Sequence, residues 1–268
     1  MIASGVGRAA YFVAIVATAA CGSPFAPQYE YEEQTYLSVD GRATVVIDSS
    51  LAALVALRGL AIDPSPNSQA DRESLRHIFQ AANCRVDNVS RLWRRRGRRF
   101  VQVRITVDDV RRLPACGPLA WSSYSLDPIE PDGLRYRQTV AGQPQPAPAL
   151  SRTPGAAAAS EPAGAGWDGS ELIAFKLHLP SRIRWHNVKR LDGTDGTHER
   201  GNILTWEQRL SDRRAGRPIA MEVEMESTSI LNTTLWIFGG AFAAAVLLLV
   251  VVIWLVMRRG RKVKWTPR

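Results

Sequence analysis

The densest group of side chains with chemical capability is Leu92-Trp93-Arg94-Arg95-Arg96-Gly97-Arg98-Arg99-Phe100, five guanidinium groups and two aromatic rings in nine residues. Guanidinium forks match the oxygens of phosphate and carboxylate, and an aromatic ring beside them suits the headgroup level of a bilayer. Trp93, Arg94, Arg95, Arg96, Arg98 and Arg99 are therefore candidate ligands for an anionic group, such as an outer-leaflet lipid headgroup or an anionic glycan. Arg96-Gly97 reads as a hairpin tip. The same run is equally that of a solvated tip whose arginines keep an edge strand from pairing with another sheet.

Elsewhere the signals for catalysis are sparse. His77, His178, His186 and His198 are scattered, and no HExxH, GxSxG or Walker pattern accompanies them. Trp206-Glu207 and Trp167-Asp168 pair an aromatic with a carboxylate, as sugar-handling acid and base pairs do, but each Trp can equally fill a core while its acid faces water. Asp192-Gly193-Thr194-Asp195-Gly196 has two acids where a calcium loop needs four or five oxygen side chains, so a solvated turn is expected. Residues 180–187, Pro-Ser-Arg-Ile-Arg-Trp-His-Asn, form a polar and aromatic loop that can serve as a rim. The expectation is a binding protein, not an enzyme, with no cofactor and no metal.

Three cysteines remain to be placed. Arg8 precedes an apolar stretch over 9–20, too short to span a bilayer comfortably, which closes on Thr18-Ala19-Ala20 before Cys21. Residues 1–20 read as a signal peptide. Cys21 stands where a lipobox places its lipidated cysteine, although Thr18 occupies the usual Leu position; ordinary cleavage after small residues and an uncleaved anchor are the other readings. Cys84 and Cys116 are then the thiols left in an exported domain. They form either a disulfide or two small buried hydrophobes.

Those residues have to be held by a chain whose last segment fixes its location. The uncharged run 235–257 covers roughly 30 Å as a helix and is followed by Arg258, Arg259, Arg261, Lys262 and Lys264. It is expected to be a transmembrane helix, with 258–268 as a basic cytoplasmic tail and 21–234 outside. A bacterial inner membrane, crossed once, is the expected location. Gly239 with Ala243, and Gly240 with Ala244, repeat small residues every four positions and suggest a homodimer contact.

Charge looks like a nucleic-acid signal until it is partitioned. The chain carries a formal +9. Setting aside the six basic residues of 258–268 and Arg8 leaves 27 basic against 25 acidic residues, so the exported part is near neutral and nucleic acid is not an expected partner. Only Lys176 and Lys189 of those 27 are lysines, which codon bias explains as well as a need for guanidinium groups does.

The exported part opens with a hairpin. Tyr29 and Tyr31 alternate with acids, Val39-Asp40-Gly41-Arg42 supplies the turn, and Ala43, Val45 and Ile47 return along one face. A helix follows, capped by Ser49 or Ser50 and ended by Gly59; a second begins near Ser68, with Leu75, Ile78, Phe79 and Ala82 on one side. Strands are predicted over 86–93, 99–107, 121–126, 134–140, 171–179, 203–208 and 220–225. Residues 143–166, rich in Pro, Ala and Gly, read as a disordered loop inside one domain. The fold class expected is α+β: a curved antiparallel sheet with two helices packed on one face.

This order of parts, from the lipobox-like Cys21 through the hairpin Leu37-Ser38-Val39-Asp40-Gly41-Arg42-Ala43-Thr44-Val45 to a single C-terminal helix with a basic tail, resembles the LppM-like family of bacterial membrane lipoproteins. The resemblance implies a helix-grip-like, lipid-binding exported domain in which the sheet wraps a helix and leaves an apolar cavity. Membrane lipids would then be the partners. The long Pro/Ala insert and the Trp-Arg-Arg-Arg run depart from that pattern. The expected function is a membrane-anchored extracytoplasmic binding module for lipid or another anionic envelope ligand. A protein-interaction subunit of an envelope assembly is the alternative, and an envelope hydrolase the third.

Overall fold

A computed structural model describes residues 27–81, 84–141, 167–168, 170–197 and 202–260. The expected signal segment with Cys21, the insert at 143–166 and the tail beyond 260 lie outside the described residues.

Alternating burial builds two sheets. The larger contains β1 (Tyr29–Leu37), β2 (Ala43–Ser50), β3 (Arg85–Val89), β4 (Trp93–Arg95), β5 (Arg98–Val107), β8 (Leu172–His178) and β10 (Ile203–Arg209). Its order is β10-β8-β1-β2-β5-β3, with β4 paired to β5. The smaller has the order β6-β7-β11-β9, from β6 (Ser122–Ile129), β7 (Gly133–Val140), β9 (Ile183–His186) and β11 (Ile219–Glu226). The inner faces of the two sheets pack on one another: Tyr31, Val45, Val103 and Phe175 from the first share one core with Tyr136, Val140, Met221 and Val223 from the second.

Two short helices cover the rest of that face. α1 (Leu51–Arg58) is capped by the Ser50 hydroxyl, which accepts from the Ala53 amide, and ends at Gly59, whose φ of 64° closes the left-handed turn. α2 (Arg72–Phe79) starts later than the predicted Ser68, because the Asp71 carboxylate takes the Glu73 and Ser74 amides and is the better cap. The 3-10 turns η1 (Val110–Ala115) and η2 (Gly117–Leu119) and the short α3 (Leu210–Arg214) complete the domain.

The α+β class stands, and two particulars differ from the sequence expectation. The single sheet is two, and the pair β1·β8 is parallel, Glu33 facing Phe175 and Thr35 facing Leu177. A parallel neighbour needs a long crossover, and the chain between β1 and β8 supplies one through the whole β6–β7 excursion. The predicted hairpin is present, with Gly41 at φ 89° and Ser38 donating to the Arg42 carbonyl.

α4 (Ile230–Gly260) is the long apolar element, and Thr234–Arg259 within it is long and apolar enough to cross a membrane. Trp236 and Trp254 lie roughly 27 Å apart along it, the spacing of two aromatic belts. At Gly239 and Gly240 an added Cβ would meet nothing within 4 Å, so packing inside the chain does not require glycine there.

Candidate anion-binding cleft

The Arg-rich run forms the expected hairpin. Trp93 pairs with Phe100, Arg94 with Arg99 and Arg95 with Arg98, and the left-handed Arg96 (φ 50°) and Gly97 (φ 75°) make the tip. Because paired residues share a face, the arginines separate by parity and do not form one patch.

On the outer face the cations are already matched. Arg98 joins Glu30 at 2.8 Å and Glu171 at 3.2 Å. Arg95 lies over the Phe100 ring at 3.9 Å and donates to the Tyr29 carbonyl. Burial pulls the Arg95 guanidinium below its ordinary pKa, while Glu30 and Asp48 act in the opposite direction. Trp93 stacks on Phe100 with ring centroids 6.0 Å apart. These residues close the outer face. The expectation of a single wetted cluster is thus corrected: Arg96 is exposed at the tip, and Arg94 is exposed but donates to Pro66 O and Asn67 Oδ1.

Arg99 projects to the other side, and there a cleft of about 330 Å³ opens, lined by Ser68, Gln69, Ala70, Asp71, Arg72, Arg91, Leu92 and Arg99. Arg94 helps build it by pinning the loop before α2 to the hairpin. Arg72 donates Nε to the Val89 carbonyl at 2.9 Å, which ties the start of α2 to β3. Two buried polar atoms on the lining, Arg99 Nε and the Ser68 hydroxyl, have no hydrogen-bond partner among the described residues, and Ser68 is 3% exposed. Such atoms cost stability when left unpaired. Asp71 is the one carboxylate on the lining among the described residues, and its Oδ2 is occupied by the α2 cap. Three arginines, a serine and a glutamine line this one small cleft, and side chains of these types can hold one phosphate or carboxylate.

Sequence reasoning found Arg99 and missed Ser68, Gln69, Arg72 and Arg91. Arg72 did carry a signal. A cation in the first turn of a helix opposes the macrodipole, which implies that another role holds it there.

Two further clefts are less open to a ligand. One, of about 400 Å³, is lined by Tyr29, Lys176, Lys189, Arg190 and Glu207, but Lys176 pairs with Glu32, Lys189 with Asp195 and the Tyr29 hydroxyl with Glu207. The other, of about 270 Å³, lies beside Cys84, Arg85 and Arg112. Among the described residues, no unpartnered buried atom lines either of them.

The remaining sequence candidates fall as follows. Cys84 and Cys116 form a disulfide with Cα atoms 5.7 Å apart. Trp206 is buried and donates to Asn187 Oδ1 at 3.1 Å, while Glu207 accepts from Tyr29. Asp192 caps its own turn through the Thr194 amide at 2.9 Å. Val101, Val103, Phe175 and Leu177, which would line a lipid cavity, belong to the packed core.

No protein-family model matches the chain, and no curated protein matches it. Among solved structures, the NMR structure of the folded domain of LppM from Mycobacterium tuberculosis is similar, at 12% identity and a TM-score of 0.37, over 78% of this chain and 96% of that one.

Proposed function

We propose that this protein is a membrane-anchored extracytoplasmic binding module that takes one anionic group of an envelope molecule, a phosphate or a carboxylate, into the cleft formed by Ser68, Gln69, Arg72, Arg91 and Arg99. The observation that carries this reading is the pair of buried unpartnered atoms, Arg99 Nε and Ser68 Oγ, on the wall of one small basic cleft. Both atoms are closed to solvent, so an oxyanion would reach and satisfy them through a small shift of the side chains that line the cleft.

The filled core between the sheets favours recognition of a headgroup or glycan over enclosure of an acyl chain. Position bears on the source of the ligand. The hairpin lies at the Leu172 end of β8, whereas α4 leaves the domain beside Pro180, past the His178 end of the same strand. The cleft is thus set apart from the point of membrane entry by the length of a seven-residue strand, roughly 20 Å.

The full chain in nanodiscs of zwitterionic phospholipid, titrated calorimetrically with inorganic phosphate and with a hexose phosphate, tests the site. Vesicles containing anionic phospholipid, added to the same sample, distinguish a soluble source from a lipid one. Arg91→Gln with Arg99→Gln should weaken whichever binding is seen at least tenfold. Absence of binding to all three probes, or equal binding by the variant, would overturn the proposal.

A further inference from the structure

The second feature that ordinary packing does not explain is the end of the domain from which α4 departs. Two turns meet there. One is the β6–β7 turn, residues 130–132, and the other is the loop 180–182 leading into β9. Arg184 joins them, donating Nη1 to Pro131 O at 2.8 Å and Nη2 to Asp132 O at 3.1 Å.

The chain entering α4 is tied to both turns by backbone hydrogen bonds. Glu226 N donates to Arg182 O at 3.0 Å, Ser227 N to Asp132 O at 3.1 Å and Ile230 N to Pro180 O at 3.0 Å. Ser229 Oγ adds a contact to Pro180 O at 3.4 Å. A helix held at its first residue by these bonds is not joined to the domain through a free linker, so the two turns keep a fixed place beside its N-terminus.

Height follows from the helix itself. The hydrocarbon-matching run begins at Leu235, and Ile230 lies five residues earlier, roughly 7 to 8 Å above it at 1.5 Å per residue. A headgroup region is about 5 to 8 Å deep on each side of a bilayer. Pro180, in contact with Ile230, therefore sits at headgroup level together with Arg182, whose guanidinium has no ion-pair partner among the described residues. Trp185, 48% exposed, lies on β9, the strand that the loop 180–182 enters. Glu130 and Asp132, both exposed, share the surface with Arg182 and Arg184, so the surface suits the mixed charge of phospholipid headgroups and not one sign of charge.

We propose that the paired turns 130–132 and 180–182 form a bilayer-contact surface seated in the phospholipid headgroup layer that α4 enters. This rests on α4 spanning the membrane. Contact at this surface would hold the domain in one orientation and leave the Arg99 cleft facing the envelope.

The test uses the full chain, with Cys21→Ser, in phospholipid nanodiscs doped with a gadolinium-chelating headgroup. Nitroxide is placed at Arg182→Cys, at Asp132→Cys or, as the remote control, at Arg96→Cys. Relaxation enhancement at 182 and 132 should exceed that at 96 at least fivefold, and two turn positions guard against a local defect in one variant. Equal enhancement at all three positions would overturn the contact surface. Carbonate extraction of each sample separates the two readings: protein released by carbonate would refute the spanning helix, whereas retained protein with equal enhancement would refute the contact alone.

Discussion

Arg58 and Glu33 form an ion pair from which water is fully excluded, Nη2 to Oε2 at 2.6 Å, with no exposed surface on either side chain. Glu33 stands on the inner face of β1, between the sheets, and its other donors come from both sides: Tyr31 OH at 2.7 Å, Tyr124 OH at 3.3 Å and Gln138 Nε2 at 3.1 Å. Burial pushes the Tyr31, Tyr124 and Tyr136 hydroxyls well above their ordinary pKa, so they remain protonated donors. The carboxylate thus joins the two sheets and α1 at one point.

A buried pair of this kind is costly to break from one side, because the surviving charge keeps its desolvation penalty without its partner. Arg58→Met should destabilise the domain by about 3 to 5 kcal/mol. Arg213 provides the contrast. It is 2% exposed, its guanidinium lies 5.0 Å from the Trp121 ring centroid, and burial together with the nearby Arg58 charge pushes its pKa down to about 10. Its charge opposes folding below that pH, so Arg213→Met should cost less than half as much as Arg58→Met. Urea unfolding of the full chain in detergent, followed by tryptophan fluorescence, measures both; equal costs would show that Arg213 is as well compensated as Arg58.

The disulfide offers a second test. Cys84 and Cys116, separated by 32 positions, tie the start of β3 to the junction of η1 and η2. Closing a loop of that length constrains the unfolded chain by about 3 to 4 kcal/mol on the entropy model. Reduction under native conditions, or the double replacement Cys84→Ser and Cys116→Ser, should lower the urea midpoint correspondingly. An unchanged midpoint would mean that the bond follows the fold without supporting it.

The legible parts of this fold were those with a local period or a local cap. Val101, Val103, Ile105 and Val107 declared the inner face of β5, Asp40-Gly41 the turn between β1 and β2, and Gly59 the end of α1, each within a few residues of sequence. The parallel pairing of β1 with β8 was not legible, since Glu33 and Phe175 are brought side by side by a crossover that no local pattern encodes. The site divided in the same way. The hairpin at Arg96-Gly97 could be read, but the fate of its arginines depended on Glu30, Glu171 and the loop carrying Ser68, all distant in sequence. Strand parity alone would have separated Arg98 from Arg99 once the tip was fixed.

That separation gives the last prediction. Arg98 is held between Glu30 and Glu171, all three side chains largely buried, so Arg98→Gln would remove the cation that bridges the two carboxylates. The expected result is a loss of about 1 to 3 kcal/mol in stability, with phosphate binding by the folded protein changed less than twofold. Arg91→Gln with Arg99→Gln should do the reverse, because Arg91 is exposed and the Arg99 Nε gives up no hydrogen bond. Stability should stay within about 1 kcal/mol while binding falls at least tenfold. Urea unfolding and phosphate calorimetry on both proteins separate the roles. The opposite assignment, with binding lost on replacing Arg98 and kept on replacing Arg91 and Arg99, would move the anion site to the outer face beside Glu30.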